Sequence, residues 1–226
     1  MTRLRRLMTC VALGAATVTG STDAREVSVE SCHGVVEPPS APEGVKRVSS
    51  LPCVGRSKDG SIVKRTRSIM SDEGPDLAVV IFVTTTCPIA NATMPSIRRL
   101  HETAGKLGAD LVLVHPDPLV TPEHAFEHAD RRKLEMDILL DADQRLARSL
   151  GARVVPEAFV LQRTDQGWQT RYRGPVDDLY AGVGRRRRAA TTFHVADAIQ
   201  KIRSGLPIKQ PHRTAHGCAI ERMLGS

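Results

Sequence analysis

Apolar residues follow two clear patterns from about residue 76 onward. Residues 77–83 form an unbroken apolar run rich in β-branched side chains, which is typical of a strand buried on both faces. Residues 111–114 form a second such run, and between the two runs the apolar positions of residues 88–107 recur at helical spacing. The pattern therefore predicts two buried parallel strands joined by a helix.

The rest of the chain continues this alternation and then changes it. Thr121-Pro122-Glu123 marks a helix start and Gly151 marks a helix end. The predicted helices cover residues 121–134, 144–150 and 191–204, and the predicted strands cover residues 158–162 and 168–173. The order βαβα(α)ββα predicts an α/β fold with a central mixed sheet in which the last two strands form a hairpin.

The first part of the chain has a different character. Residues 25–75 are rich in Pro, Gly and Ser, so we predict an irregular N-terminal extension with a short hairpin near residues 61–67. Before it, three arginines precede a mildly apolar stretch and a small-residue segment that ends at Ala24, which is typical of a secretory signal peptide. The predicted organisation is a signal peptide at 1–24, the extension at 25–75, an α/β domain at 76–205 and a C-terminal tail at 206–226. We therefore expect an exported protein, periplasmic or extracellular, without a stable membrane span.

Composition narrows the range of partners. Of the 226 residues, 41% are hydrophobic, which is enough to build a core. The net charge of +7 is concentrated in the first six residues and in four arginines at 185–188, which we interpret as a solvated surface, with no nucleic-acid partner. His124 and His128 stand four residues apart on a predicted helix, but the pattern supplies no third metal ligand. No metal or other cofactor is therefore predicted.

Cys87 has the most distinctive position of the cysteines. It lies between a predicted buried strand and a predicted helix, and Pro88 takes the first position of that helix. A helix N-terminus presents unpaired N–H groups and the positive end of the helix dipole to the sulfur. Both features favour a thiolate, which is the reactive form of cysteine. We expect Cys87 to be a redox-active nucleophile.

The surroundings of Cys87 resemble a known superfamily. The strand, the run Thr-Thr-Thr-Cys-Pro and Pro95, eight residues after the cysteine, resemble the thioredoxin superfamily. Val155-Pro156, just before a strand, resembles the cis-proline loop that faces the thiol in that fold. The CPIAN run at 87–91, the HPDP run at 115–118 and the His-Gly-Cys run at 216–218 resemble exported redoxins of the alkyl hydroperoxide reductase and thiol-specific antioxidant group, which are peroxiredoxin-like. The resemblance implies a thioredoxin-like three-layer fold with Pro156 beside Cys87.

The chain departs from these relatives near the cysteine. Ala90 stands where a thioredoxin-type dithiol site has its second cysteine, so Cys87 has no local partner. Thr84 matches the threonine of the peroxiredoxin pattern and is expected to hydrogen-bond the thiolate or a substrate oxygen, whereas Val80 replaces the proline of that pattern. Peroxiredoxins also place an arginine over the thiolate, and both Arg153 and Arg163 are candidates for this role.

The remaining cysteines leave several pairings open. Once the signal peptide is removed, the chain keeps Cys32, Cys53, Cys87 and Cys218. We expect Cys218, on the tail, to resolve a sulfenic acid at Cys87 by forming a disulfide with it. The alternatives are a structural bridge from Cys218 to Cys32 or Cys53, or a free thiol. Cys32 and Cys53 most simply form a disulfide that staples the N-terminal extension.

These features predict an exported thiol-dependent oxidoreductase, either a peroxiredoxin-like antioxidant or a thiol–disulfide exchange enzyme. Its site would consist of Cys87, Thr84, Pro156 and Cys218. Its partners would be a peroxide or protein disulfide substrate and an external thiol reductant. The missing local cysteine pair leaves a catalytically inactive binding or assembly module as the alternative. A copper-binding protein is a third possibility, although Asn91 stands where copper-delivering members of the superfamily have their second cysteine.

Overall fold

The structure is a computed structural model that describes residues 44, 45, 48, 50–182 and 184–222. The predicted signal peptide and Cys32 lie outside the described residues. The strands are β1 (Leu51–Arg56), β2 (Ile62–Arg67), β3 (Leu77–Phe82), β4 (Ala109–His115), β5 (Ile138–Leu140), β6 (Val154–Val155), β7 (Glu157–Thr164), β8 (Gly167–Gly174) and β9 (Cys218–Ala219). The helices are α1 (Pro88–Lys106), α2 (Pro122–Arg131), α3 (Arg145–Leu150) and α4 (His194–Arg203).

Seven strands form one mixed sheet in the order β2-β1-β5-β4-β3-β7-β8. The predicted parallel pair is present, because β3 lies parallel to β4, and β4 lies parallel to β5. On the other side of β3, the strands β7 and β8 run antiparallel as the predicted hairpin. Every residue of β3 is buried, as its unbroken apolar run predicts for a central strand. The predicted α/β fold with a central mixed sheet is therefore confirmed.

The strands β1 and β2 correct the interpretation of the segment before residue 76 as irregular. They form a hairpin that begins ten residues earlier than predicted, at Leu51, and pairs Leu51 with Arg67. Leu51, Cys53 and Val54 are buried because β1 lies between β2 and β5 in the sheet. The strand β1 is not evident from the sequence, because Pro52 and Gly55 interrupt its apolar positions.

Two further elements depart from the prediction for local reasons, one strand that was not predicted and one helix that starts later. The strand β5 has only three residues, which is too short for its periodicity to stand out. The closing helix α4 starts at His194 instead of residue 191. The N–H groups of Thr191 and Thr192 donate to the Asp178 carboxylate at 2.7 and 2.9 Å, which holds this segment in a turn.

Candidate active site

Cys87 caps the N-terminus of α1. Cys87 lies five residues after the end of β3 and has an extended backbone, and Pro88 occupies the first helical position. The N–H of Ala90 donates to the Cys87 sulfur at 3.5 Å, and the N–H of Asn91 donates to its carbonyl at 3.0 Å. The helix therefore directs donor groups at the sulfur, as the sequence predicts. The cysteine itself is only 2% exposed.

The loop from Val154 to Glu157 lies against this sulfur. The Val155–Pro156 peptide bond is cis, and the Cys87 thiol donates to the Val155 carbonyl at 3.2 Å. Glu157 is buried and accepts from the Arg153 N–H at 2.8 Å and from Nε of Arg173 at 2.6 Å. Pro156 is thus brought to Cys87 by a loop that a buried ion pair holds in place.

The C-terminal tail carries the second sulfur to the same point. After α4, the tail runs beside β8, where the Arg173 N–H donates to the Pro211 carbonyl at 2.8 Å. It then forms the short strand β9, which pairs antiparallel with β6 so that Cys218 stands opposite Val155. The Cys218 thiol donates to the Cys87 sulfur, and the two sulfur atoms are 2.7 Å apart. Two cysteines separated by 131 positions in sequence therefore share one site.

Two glycines make room for this tail. A Cβ atom on Gly217 would lie 2.6 Å from the carbonyl carbon of Val155 and would overlap its oxygen. A Cβ atom on Gly174, whose φ is +153°, would lie 2.8 Å from Cβ of Arg213. Distances this short require the backbone to move, so any larger residue at 217 forces the tail away from β6.

Burial makes two of the described cysteines harder to ionise. Burial, reinforced by the adjoining Cys87 sulfur, raises the pKa of Cys218 to about 11. Burial also raises the pKa of Cys53, again to about 11, with the nearby charge of Asp137 adding to the effect. Cys53 lies inside the sheet at 1% exposure, and its partner in the predicted staple, Cys32, is outside the described residues. Cys218 is the protonated donor of the pair at the site.

Thr84 lies on the wall of a cleft beside the sulfur pair. The cleft has a volume of about 440 Å³. It is lined by Thr84, Thr86, Val155, the 116–119 loop and tail residues 218–222. Cys218 lines this cleft and is half-buried. In the described part of the chain no hydrogen bond joins the Thr84 hydroxyl to the Cys87 sulfur.

The two arginines that the sequence offers as thiolate partners occupy other places. Arg163 lies at the far end of β7, where its guanidinium donates to the carbonyls of Ser71 and Gly74 at 3.2 and 3.1 Å. That end of the sheet is opposite the one from which Cys87 emerges, since the Arg163 N–H pairs with Asp76 just before β3. Arg153 is near the site in sequence, but its side chain is exposed to solvent.

A polar cluster that sequence reasoning missed lies behind α1. Nε2 of His128 is 2.7 Å from Oδ1 of Asn91, and Nδ2 of Asn91 donates to the Thr85 carbonyl at 3.0 Å. His115 packs edge-on against His128, with ring centroids 5.9 Å apart, and neither of its ring nitrogens has a hydrogen-bond partner. Burial, with a contribution from His128, lowers the pKa of His115 to about 3. The only sequence signal was the HPDP run, which by itself does not indicate a buried ring.

Neither a metal site nor a membrane span is found in the described part of the chain. Its Cys, His, Asp and Glu side chains form no cluster of three that could bind a metal ion. His124 is exposed, whereas His128 contacts Asn91, so the predicted helix pair does not converge on a common ligand. No helix among these residues is both long and apolar enough to cross a membrane. Asp177 and Asp178 hydrogen-bond the N–H groups of Leu179, Thr191 and Thr192, and so cap turns.

Comparison with known proteins supports the resemblance seen in the sequence. Residues 58–166 match the model of the AhpC/TSA family. This stretch is an AhpC/TSA-family domain. It includes Cys87 and the Val155–Pro156 loop but ends before the tail that carries Cys218. The predicted thioredoxin-like fold and redoxin family are thus confirmed, while the tail is a feature outside the family match.

Two of the similar solved structures share this fold at low sequence identity. A hypothetical protein from Sinorhizobium meliloti 1021 matches with a TM-score of 0.62 and 19% identity, over 83% of this chain and 98% of that chain. An uncharacterized conserved protein from Geobacillus kaustophilus matches with a TM-score of 0.61 and 19% identity, over 84% of this chain and 97% of that chain. A putative thiol:disulfide interchange protein DsbE from Chlorobium tepidum matches with a TM-score of 0.41 and 16% identity, over 59% of this chain and 85% of that chain. A comparison with the curated proteins finds no relative.

Proposed function

We propose that this protein is a thiol-dependent oxidoreductase that cycles between a Cys87–Cys218 dithiol and a Cys87–Cys218 disulfide. The observation that carries the proposal is the 2.7 Å separation of the two sulfur atoms. Ala90 stands at the helix position where a local second cysteine would lie, and the C-terminal tail provides Cys218 instead. No rearrangement of the backbone is needed to bring the two sulfurs together, because the tail is already paired with β6.

The cycle balances as a two-electron reaction. With a hydroperoxide, the Cys87 thiolate attacks the distal oxygen, gives a sulfenic acid and releases the alcohol or water. The Cys218 thiol then condenses with the sulfenic acid, which releases water and forms the disulfide. With a substrate disulfide, the dithiol gives up two electrons and two protons and releases two substrate thiols. In both cases two external thiol groups restore the dithiol.

Two oxidants are candidates, and each is favoured by a specific observation. The AhpC/TSA match and the 2% exposure of Cys87 favour a hydroperoxide, because a small molecule reaches a covered sulfur more easily than a protein does. The preassembled cysteine pair beside the Val155 backbone favours exchange with a protein disulfide. The two are separated by measuring turnover with hydrogen peroxide and with a disulfide-bonded protein under the same thiol reductant.

Mass-spectrometric mapping of the oxidised protein tests the proposal. Treatment with one equivalent of either oxidant should give a Cys87–Cys218 bridge, and turnover should be lost in Cys87→Ser. Cys53→Ser serves as the matched control, since Cys53 is equally buried but lies within the sheet. An oxidised protein whose Cys87 and Cys218 remain unbridged, or turnover that stays intact in Cys87→Ser, would show that the proposal is wrong. Absence of thiol-dependent turnover in the native sequence would favour a binding module.

We also propose that this cycle takes place outside the cytoplasm. The support is the arginine-rich start, the apolar stretch and the small-residue segment ending at Ala24, together with cysteines suited to an oxidising compartment. N-terminal sequencing of the protein recovered from a periplasmic or culture fraction should find cleavage near residue 24. Recovery of the uncleaved chain in the cytoplasm would contradict this.

A further inference from the structure

The two sulfurs of the proposed pair differ in access to solvent. Cys87 is 2% exposed and is surrounded by the Ala90 N–H, the Val155 carbonyl and the Cys218 sulfur. Cys218 is half-buried and lines the 440 Å³ cleft, whereas Cys87 is not among the residues that line it. Of the two sulfurs, that of Cys218 is therefore the one that borders the open cleft.

We propose that the cleft between the tail and the 116–119 loop binds the reducing thiol, and that this thiol attacks the sulfur of Cys218. The inference rests on the proposed function, because it concerns the disulfide form of the Cys87–Cys218 pair. A thiolate must approach a disulfide along the S–S axis, from the side away from the leaving sulfur. The cleft opens on Cys218, so it offers this approach to Cys218 and leaves Cys87 as the leaving group.

The electrons and protons of this step balance. The substrate thiolate forms a bond to the Cys218 sulfur, and the Cys87–Cys218 bond breaks with its electron pair going to Cys87. The Cys87 thiolate formed in this way accepts a hydrogen bond from the Ala90 N–H at the N-terminus of α1. A second substrate thiolate then attacks the substrate sulfur of the mixed disulfide, releases the oxidised substrate and leaves Cys218 to take up a proton. The raised pKa of Cys218 favours that last protonation.

The walls of the cleft indicate the kind of thiol that fits. Leu119 is 83% exposed at the tip of the 116–119 loop, which is a large apolar side chain held in solvent at the rim. Pro116, Pro118 and Ile220 extend this apolar character. The polar part of the lining consists of two hydroxyl groups and three charged side chains, from Thr84, Thr86, Asp117, Glu221 and Arg222. A volume of this size accommodates a few residues of an extended chain. The occupant is therefore a cysteine-containing peptide segment with an apolar neighbour.

Trapping the mixed disulfide tests the site of attack. Oxidised protein is mixed with a limiting amount of a short cysteine peptide that has a leucine beside the cysteine, and the mixture is quenched with N-ethylmaleimide and mapped by mass spectrometry. The peptide is expected on Cys218, with Cys87 alkylated. The peptide on Cys87, with Cys218 alkylated, overturns the inference but leaves the proposed function standing. Failure of the oxidised protein to contain the bridge overturns both.

Two exposed leucines test the cleft. Leu119→Asp should slow reduction of the bridge by the leucine-containing peptide several-fold, because a carboxylate replaces the exposed apolar side chain that would contact the leucine of the peptide. Reduction by dithiothreitol, which does not need the rim, should keep its rate. Leu206→Asp is the matched control, since Leu206 is 57% exposed and lies outside the cleft. Equal rates for the two variants with the peptide would overturn the assignment of the cleft.

Discussion

The two sides of the sulfur pair are built in different ways. Cys87 is positioned by a fully buried strand, a proline at the first helical position and the first turn of α1, all of which are neighbours in sequence. Cys218 is positioned by a tail whose strand β9 has two residues and pairs with an equally short β6. One sulfur thus belongs to the core of the fold, and the other is delivered by a segment that crosses its surface.

This difference separates the stability of the fold from the assembly of the site. The core around β3 buries a continuous set of aliphatic side chains, to which the tail contributes one buried residue, Ile220. The position of the tail depends on a few specific contacts. These are the close approaches of the chain that Gly174 and Gly217 permit, and the backbone pairing of the tail with Arg173 and Val155. Changes in those contacts should disassemble the site in a protein that is still folded.

The largest effect is expected at Gly217. In Gly217→Val the new side chain would overlap the Val155 carbonyl, so the tail has to leave β6 and carry Cys218 away from Cys87. Formation of the Cys87–Cys218 bridge should be lost, and alkylation of Cys87 by iodoacetamide should become faster. Quantitative mass spectrometry after oxidation and timed alkylation measure both changes.

Gly105→Ala is the control for this variant, because a Cβ atom there meets nothing within 4 Å and the position lies inside α1. It should bridge normally and be equally or more stable. Far-ultraviolet circular dichroism should show both variants folded. Normal bridging in Gly217→Val would contradict the view that tail docking delivers Cys218.

The same difference explains which parts of the fold and of the site could be predicted from the sequence. The β3–α1 junction was predictable because each of its signals is local: an apolar run, a proline and helical spacing. The strands β5, β6 and β9 were not, since two or three residues give little periodicity, and β1 was not because Pro52 and Gly55 interrupt its apolar run. The burial of these strands depends on distant partners. Sequence suggested Cys218 as a partner for Cys87 among several, and only the pairing of β6 with β9 places the two sulfurs side by side.

Histidines and arginines were harder to place for a related reason. The choice between Arg153 and Arg163 depends on the end of the sheet at which each side chain lies, and this is fixed by the register of β7 on β3. His115 and His128 lie on different elements, the end of β4 and α2, and meet behind α1 because these two elements bring them there. The types of residue are visible in the sequence, but the distances between them are set by topology.

The next largest effect is expected at the ion pair that links the two sides. Glu157 is the first residue of β7, and its carboxylate accepts from Arg173. The backbone of Arg173 contacts the tail, and its guanidinium also donates to the Gly151 carbonyl at 2.6 Å. Glu157→Gln leaves Arg173 as a buried charge without its anionic partner. It should lower the free energy of unfolding by about 3 kcal/mol, measured by urea denaturation.

The exposed pair of Lys201 and Asp197 on α4 provides the matched control. Removing it in Lys201→Gln should cost about 0.5 kcal/mol or less, because solvent screens such pairs. A similar small loss for Glu157→Gln would mean that the buried pair does not secure the loop at Val155.

A smaller, pH-dependent effect is expected at His115. Its folded pKa is lowered to about 3 by burial, whereas the unfolded chain takes up a proton near pH 6.5. The unfolded state therefore binds more protons as the pH falls through 6.5, and stability is lost from there down towards pH 3. His115→Leu removes this linkage. Between pH 7 and pH 5 the free energy of unfolding of this variant should therefore fall by about 2 kcal/mol less than that of the native sequence. Urea denaturation at both pH values measures the difference, and exposed His124→Leu should leave it unchanged.

The smallest effect is expected at Cys53, which has no part in the pair. Its thiol is 1% exposed within β1 and burial raises its pKa to about 11, so it is neither accessible nor readily ionised. Iodoacetamide should modify Cys53 only after unfolding, and Cys53→Ala should bridge Cys87 and Cys218 at the native rate while losing about 1 kcal/mol of stability. A slower bridge in Cys53→Ala would show that β1 and the site are coupled. An unchanged rate would mean that the reactive thiols are those at the start of α1 and on the tail. Burial within the sheet would then be what makes the Cys53 thiol unreactive.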